Sequence, residues 1–384
     1  MVRTFASATY SPGVETRHFP YAQQVIQRSY EVGGDFNGVL VRTIATTNHL
    51  DNATGTVDDS TTTVTEGTGG NGLNPGQSFS FRTYSATLFN DFPNWCIGRP
   101  ASTQQINSHT GDGGAELTRT SGVTWDGEKC RPSQQIIEPD DTEYQVTSDI
   151  VYDDFGNPSQ VTATPASGQG QAARVTMIHW GSDGQFPLSI TNPKSQVTQL
   201  GWNTAFGLRA SVTDPNNLAT TWQYDNFGRM TGQQQPDGTA IELLRYACTS
   251  AGSCGPSDLR AQVDAAIYDT ASNLVRVDSQ FFDGFERLRF SRKKLLSGAD
   301  STSRTEYDAL GRVASQSAPY IGGIDPIQNT TYSYDLLGRV KQIQRPVNES
   351  DSSTHLTQFE YDGLQHGSTD ALDRTTLRRF NAVG

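Results

Sequence analysis

Tyr224-Asp225-Asn226-Phe227-Gly228-Arg229 is the stretch whose reading decides this fold. It returns as Tyr307-Asp308-Ala309-Leu310-Gly311-Arg312 and as Tyr334-Asp335-Leu336-Leu337-Gly338-Arg339. An Asp side chain accepts the backbone N–H two residues on, and Gly supplies a left-handed position, so the hexapeptide encodes a tight turn. Around the first copy the pattern predicts a strand from Met230 to Gln235, a return turn at Pro236-Asp237-Gly238-Thr239, and a strand from Ala240 to Tyr246. Those lengths suit a β-hairpin.

Working outward, Trp202, Tyr224, Tyr246 and Tyr268 fall 22 residues apart each time. A fixed period of that size marks stacked repeats. The residues before each Tyr-Asp alternate: Leu218, Thr220, Trp222 and Tyr224 share one face of a strand, as do Tyr144, Val146, Ser148, Ile150 and Tyr152. Period two with one aromatic-rich face is the pattern of a half-buried strand. Weaker copies fill the gaps. Tyr152-Asp153-Asp154-Phe155-Gly156-Asn157 lacks only the Arg, while those starting at Trp180, Tyr268, Phe282 and Tyr361 are degenerate. Trp202 reaches Gly207 one residue late, which suggests a bulge at that copy. Trp125-Asp126 begins the earliest copy. Phe380-Asn381-Ala382-Val383-Gly384 fits the template up to its Gly, so the chain reads as a piece of something longer.

The chain has 384 residues, of which 34% are hydrophobic, and its mean hydropathy is −0.55. Chains this polar are often disordered, but 17 Phe, 14 Tyr and 5 Trp on alternating strands argue for a thin sheet wetted over both faces. A net charge of −12 disfavours a nucleic-acid partner. No apolar run of membrane-spanning length occurs, and Met1 to Tyr30 shows no secretory h-region. The boundaries expected are an irregular β region over 1–66, a Gly-rich loop with transition strands over 67–124, and the repeat array over 125–384. Asp258 to Ile267 is the best candidate for a short helix. Cys248 with Cys254, and Cys96 with Cys130, form two candidate disulfide pairs; four unpaired thiols are the alternative.

These motifs resemble the YD-repeat, or RHS-repeat, family. The resemblance rests on Tyr224–Arg229, Tyr307–Arg312 and Tyr334–Arg339, and on Asn94-Trp95-Cys96-Ile97-Gly98-Arg99-Pro100 with Trp125-Asp126 and Cys130-Arg131. It implies an all-β fold: stacked hairpins forming part of a spiralling, hollow sheet. In bacterial relatives such as the Tc toxin complexes and RHS polymorphic toxins the shell encloses a C-terminal toxic domain. In teneurins a similar shell serves cell-surface adhesion. The implied partners are the rest of the shell and an enclosed C-terminal effector, and the implied location is secreted or cell-surface.

No catalytic, cofactor or metal residue is nominated. The six histidines show no metal spacing, and neither a Gly-x-Ser-x-Gly elbow nor a phosphate-binding loop is present. Gly111-Asp112-Gly113-Gly114 lacks the ligand count of a calcium loop. The residues singled out are structural: Tyr152, Asp153 and Gly156; Tyr224, Asp225, Gly228 and Arg229; Tyr307, Asp308, Gly311 and Arg312; Tyr334, Asp335, Gly338 and Arg339. Their aspartates are expected to cap turns, and their arginines to pair with carboxylates or stack on a Tyr. The sequence therefore points to a structural shell segment that encloses and helps deliver an effector. The alternatives are a surface module binding a glycan or partner cell and, last, an enzyme on polysaccharide with a carboxylate pair.

Overall fold

The computed structural model describes residues 2–10, 17–248, 254, 256, 258–348 and 351–383. Among these, 28 strands and two single-turn 3-10 segments make up the regular structure. Nearly every strand pairs antiparallel with the next in sequence, so the fold is a succession of hairpins. Near Ser317 the order steps aside: Val313–Ser317 pairs with Asn329–Tyr334, while Tyr320–Ile321 pairs back on Ser301 and Thr302.

Contacts divide the chain into two compact units. The first comprises Met1–Ile178, Glu360–Gly367 and Thr376–Gly384; the second comprises His179–Phe359 and Ser368–Thr375. The boundaries near 66 and 124 divide the sequence by the legibility of the motif, whereas these units divide the contacts.

Among the described residues neither unit has a thick apolar interior. The buried apolar residues are few, among them Leu50, Val64, Leu200, Leu259 and Phe281, and most strand residues are half-exposed whichever way they point. Thr, Ser and Gln therefore occupy the faces at little desolvation cost, and backbone ladders and cross-strand pairs carry the order.

Several expectations are corrected. Asp258–Ile267 is not helical: Leu259–Tyr268 is a strand paired with Ala240–Ala247 and Leu274–Asp283. Leu259, Ala261 and Val263 alternate with Arg260, Gln262 and Asp264, the period of a strand. The region before residue 66 is not irregular; Arg17–Tyr30, Leu40–Leu50 and Val57–Glu66 form one continuous ladder. The bulge expected at Trp202 is present. The register also shifts beside Trp125, Tyr224, Phe282, Tyr307 and Tyr334, so it belongs to the motif.

Tyr246 also leaves its assumed place. The N–H of Cys248 donates to the Arg260 carbonyl at 2.8 Å, as Asp225 N–H does to Arg229 at 2.9 Å. Cys248 thus stands where the aspartate would be, and Ala247 where the aromatic would be. Tyr246, one residue off, falls on the opposite face. Residues Thr249 to Ser253 of that turn lie outside the described residues, as does Gly384.

Candidate functional site

The recurring feature is the Tyr-Asp turn. At Asp225 the carboxylate Oδ1 accepts the N–H groups of Phe227 (2.9 Å) and Arg229 (3.0 Å). Its Oδ2 accepts from the Arg229 guanidinium at 2.7 Å. Gly228, at φ 75°, donates its N–H to the Asp225 carbonyl at 3.0 Å. Asp283, Asp308, Asp335 and Asp370 make the same set of bonds with Arg287, Arg312, Arg339 and Arg374. Asp153 does so with Asn157, and its turn also has Gly156 in the left-handed region, at φ 90°. Gly311 and Gly338 hold that place in their turns.

These bonds favour the ionised carboxyl. The Arg229 guanidinium, followed by two turn N–H groups, holds Asp225 below the usual carboxylate range. At Asp283 and Asp335 burial pushes upward, and the bonds from arginine and backbone outweigh it. Asp370 is drawn down to about 2, chiefly by Arg374.

The aromatic ties each hairpin to the one before it. Tyr224 Oη donates to the Arg209 carbonyl (2.7 Å), Tyr307 to Leu288 (3.0 Å), Tyr334 to Val313 (2.7 Å) and Tyr152 to Pro132 (2.6 Å). Trp125 and Trp202 use their indole N–H in the same way, on Pro100 and Pro187. Each acceptor lies just beyond the preceding turn. The preceding arginine lies over the ring: Arg131 over Tyr152 at 4.1 Å, Arg287 over Tyr307 at 4.5 Å and Arg312 over Tyr334 at 4.4 Å. One guanidinium thus binds its own aspartate and the next repeat's ring. In the next copy Ala247 stands in the ring's place, and Arg229 lies over its own Phe227. Phe186, in the arginine's place, stacks on Trp202 at 5.0 Å.

Alternate turns of an antiparallel succession fall at opposite edges. In the second unit the turns at Asn203, Asp225, Cys248, Asp283, Asp308 and Asp335 share one edge, the motif edge. Asp269 lies at the other edge, with Asn192, Asp214 and Gln235. Tyr268 accordingly reaches the Glu242 carboxylate at 2.9 Å rather than a backbone carbonyl. Its 22-residue spacing from Tyr246 is therefore coincidental. The turns at Asn192, Asp214 and Asp370 escaped the sequence reading because Ser195, Asn217 and Asp373 hold the left-handed place of the Gly. The signal they share is Asp or Asn followed three residues later by a residue that tolerates positive φ.

Cys96 is joined to Cys130, and Cys248 to Cys254. The first bond cross-links two turns of the first unit, and Arg99 Nε lies 3.3 Å from the Cys130 sulfur. Among the described residues no cluster of three or more His, Cys, Asp or Glu is placed to hold a metal. Gly113 and Gly114 take left-handed conformations after the turn at Thr110–Asp112. A hollow of ≈ 270 Å³ on the second unit, lined by Gln223, Gln233, Glu242 and Tyr268 among others, contains one carboxylate, already bonded to Tyr268. No described helix is long and apolar enough to cross a membrane.

The RHS Repeat family model matches residues 202–240, the hairpins around Tyr224. Residues 202–240 carry an RHS, or YD, repeat. Two solved structures share its fold. The TcdB2-TccC3 crystal structure aligns over 94% of this chain at 10% identity with a TM-score of 0.56. The form of TcdB2-TccC3 without its hypervariable C-terminal region aligns over 94% at 10% identity with a TM-score of 0.59. This chain spans only 26% and 28% of their lengths. No curated protein matches it by sequence.

Proposed function

We propose that this chain is a wall segment of an RHS-type shell that encloses a C-terminal effector and helps deliver it from a secreted or cell-surface protein. The observation that carries this reading is the coupling between repeats. Arg287 and Arg312 are each bonded to the aspartate of their own turn and laid over the ring of the next. Such a sheet propagates by nearest-neighbour contacts, and it is thin and polar enough to be wetted on both faces. The likeness to TcdB2-TccC3, which includes a form lacking a hypervariable C-terminal region, supports the same reading. No substrate chemistry is needed for this role.

Limited proteolysis of the full polypeptide that carries this chain tests it. The stretch C-terminal to the repeats should resist protease while the repeats are folded, and become cleavable at the urea concentration that unfolds them. Equal cleavage of that stretch before and after unfolding would overturn the proposal.

A second reading, a surface module that binds a glycan, draws on exposed aromatics such as Trp95 at 68% and Phe227 at 80%. Glycans stack on such rings. A glycan array probed with this chain decides it: binding lost on Trp95→Ala supports the module, and background signal on every glycan removes it.

A further inference from the structure

The register of the second unit gathers polar side chains on one sheet face around two small residues. Gly201, Ser211, Thr221, Gln234, Ala240 and Tyr268 pair in a single row across six strands. Gln223, Gly232, Glu242 and Ala266 form the next row on the same face. Gly232 and Ala240 are diagonal neighbours in these rows, and their lack of bulk floors the hollow of ≈ 270 Å³. Thr221, Gln223 and Gln234 wall it on one side, Glu242 and Tyr268 on the other.

These walls select a class of ligand. Gln223 and Gln234 carry primary amides, each able to donate and accept, and Thr221 adds a hydroxyl. The Tyr268 hydroxyl bonds Glu242 Oε2 at 2.9 Å, which orients the carboxylate and leaves it lone pairs for a ligand. Among the described residues no Lys or Arg lines the hollow, which disfavours a phosphate or carboxylate guest. One carboxylate is too few oxygen ligands for calcium. Ala240 and Ile241 are the only aliphatic residues lining it among those described, so the apolar seat that a peptide side chain needs is missing. What fits is a neutral molecule whose neighbouring hydroxyls both donate and accept.

We propose that this hollow is a saccharide site that seats a ring of a neutral oligosaccharide, with Glu242 accepting from adjacent hydroxyls and Gln223 and Gln234 bracketing the ring. Its volume lies just under the range of drug-sized pockets, about 300–1,000 Å³, which suits a single sugar ring. Further rings can lie along the row from Thr221 through Ser211 to Gly201, which stays polar and small. The ligand class rests on the glycan reading above, while the contact moves from exposed aromatics such as Trp95 into the hollow. No enclosed cargo is required, so this site and the shell function stand or fall separately.

A glycan array of neutral and sialylated oligosaccharides, probed with this chain and followed by calorimetric titration of the strongest neutral ligand, tests the proposal. The wild type should prefer neutral glycans, because Glu242 and the net charge of −12 repel a sialic carboxylate. Glu242→Gln should weaken binding about tenfold, and Gln223→Ala with Gln234→Ala by a similar factor. Gly232→Val fills the floor and should abolish binding. Its circular dichroism and melting should match the wild type, since Val suits a strand better than Gly and a Cβ there meets nothing closer than 3.4 Å. Should it melt early, the exposed Gln223 and Gln234 substitutions serve in its place. Background signal on every glycan, a preference for sialylated ones, or binding unchanged in the hollow variants would each overturn the site. Binding lost on Trp95→Ala but kept in those variants would overturn the hollow alone and leave the glycan reading standing. A peptide array run alongside should stay at background; peptide binding abolished by Gly232→Val would overturn the saccharide assignment.

Discussion

Replacing Arg287 isolates the coupling between repeats. Its guanidinium lies 2.7 Å from the Asp283 carboxylate and 4.5 Å from the centre of the Tyr307 ring. The Asp283 side chain is only 6% exposed, so the pair is screened far less than a surface ion pair. Arg287→Gln removes the Tyr307 contact, worth about 0.5–2 kcal/mol, along with the contact to its own Phe285. It also leaves Asp283 with two backbone N–H partners and no cation, which brings the total loss to roughly 2–4 kcal/mol. A double-mutant cycle with Tyr307→Leu, read by urea denaturation, separates the two contributions. The ring coupling should be about 0.5–2 kcal/mol, and Arg287→Lys should recover only part of it, since lysine lacks the planar fork. Arg229→Gln should cost less, because Arg229 has no ring in the next repeat. Additivity of Arg287→Gln and Tyr307→Leu within about 0.3 kcal/mol would refute the coupling.

The turn aspartates set the acid limit of stability. Their folded values lie below the ordinary range, so their contribution is full above about pH 4 and is lost as pH falls through the folded values, to about 2 for Asp370. Melting followed from pH 6 to 2 should therefore decline across that window, and Asp→Asn at Asp225, Asp308 and Asp335 together should flatten the decline. Removing the Cys96–Cys130 bond by Cys→Ala substitution at both positions should cost about 3–4 kcal/mol on a loop-entropy estimate, against about 2 kcal/mol for Cys248–Cys254 with its six-residue separation; urea melts of the two variants rank them. Gly363→Ala, at φ 67° and pressed on the Gly70 carbonyl, should unseat Leu364, whose N–H donates to that carbonyl, and cost at least about 1 kcal/mol. Hydrogen exchange should then quicken at Leu364, Leu73 and Phe380, while Tyr152 and its neighbours keep their protection.

Turn chemistry made one edge of this fold legible. In Tyr224–Arg229, Tyr307–Arg312 and Tyr334–Arg339 each residue type has a single local task, so the hairpin can be read without tertiary information. On the other edge the turns at Asn192, Asp214 and Asp370 hid because Ser195, Asn217 and Asp373 adopt the left-handed conformation that Gly advertises. The first strands hid because Glu31 and Glu66 stand in the aspartate's place ahead of turns that run to Val39 and Gln77. The 22-residue register misled at Tyr246 and Tyr268, since spacing alone cannot tell which edge or face a residue reaches. The bridging role of arginine was only half visible: its pairing with Asp is local, whereas the ring it covers lies about 20 residues on, as with Arg287 and Tyr307. The seat of Leu364 on Gly70 joins segments nearly 300 residues apart and left no local trace beyond an unexplained run of glycines.

The most direct test of the shell function is cryo-electron microscopy of the full polypeptide that contains this chain. The account predicts a wall one sheet thick, built of these hairpins, around density belonging to a later stretch of the same polypeptide. Hairpins packed on a solid core, or a wall with no polypeptide inside it, would contradict it.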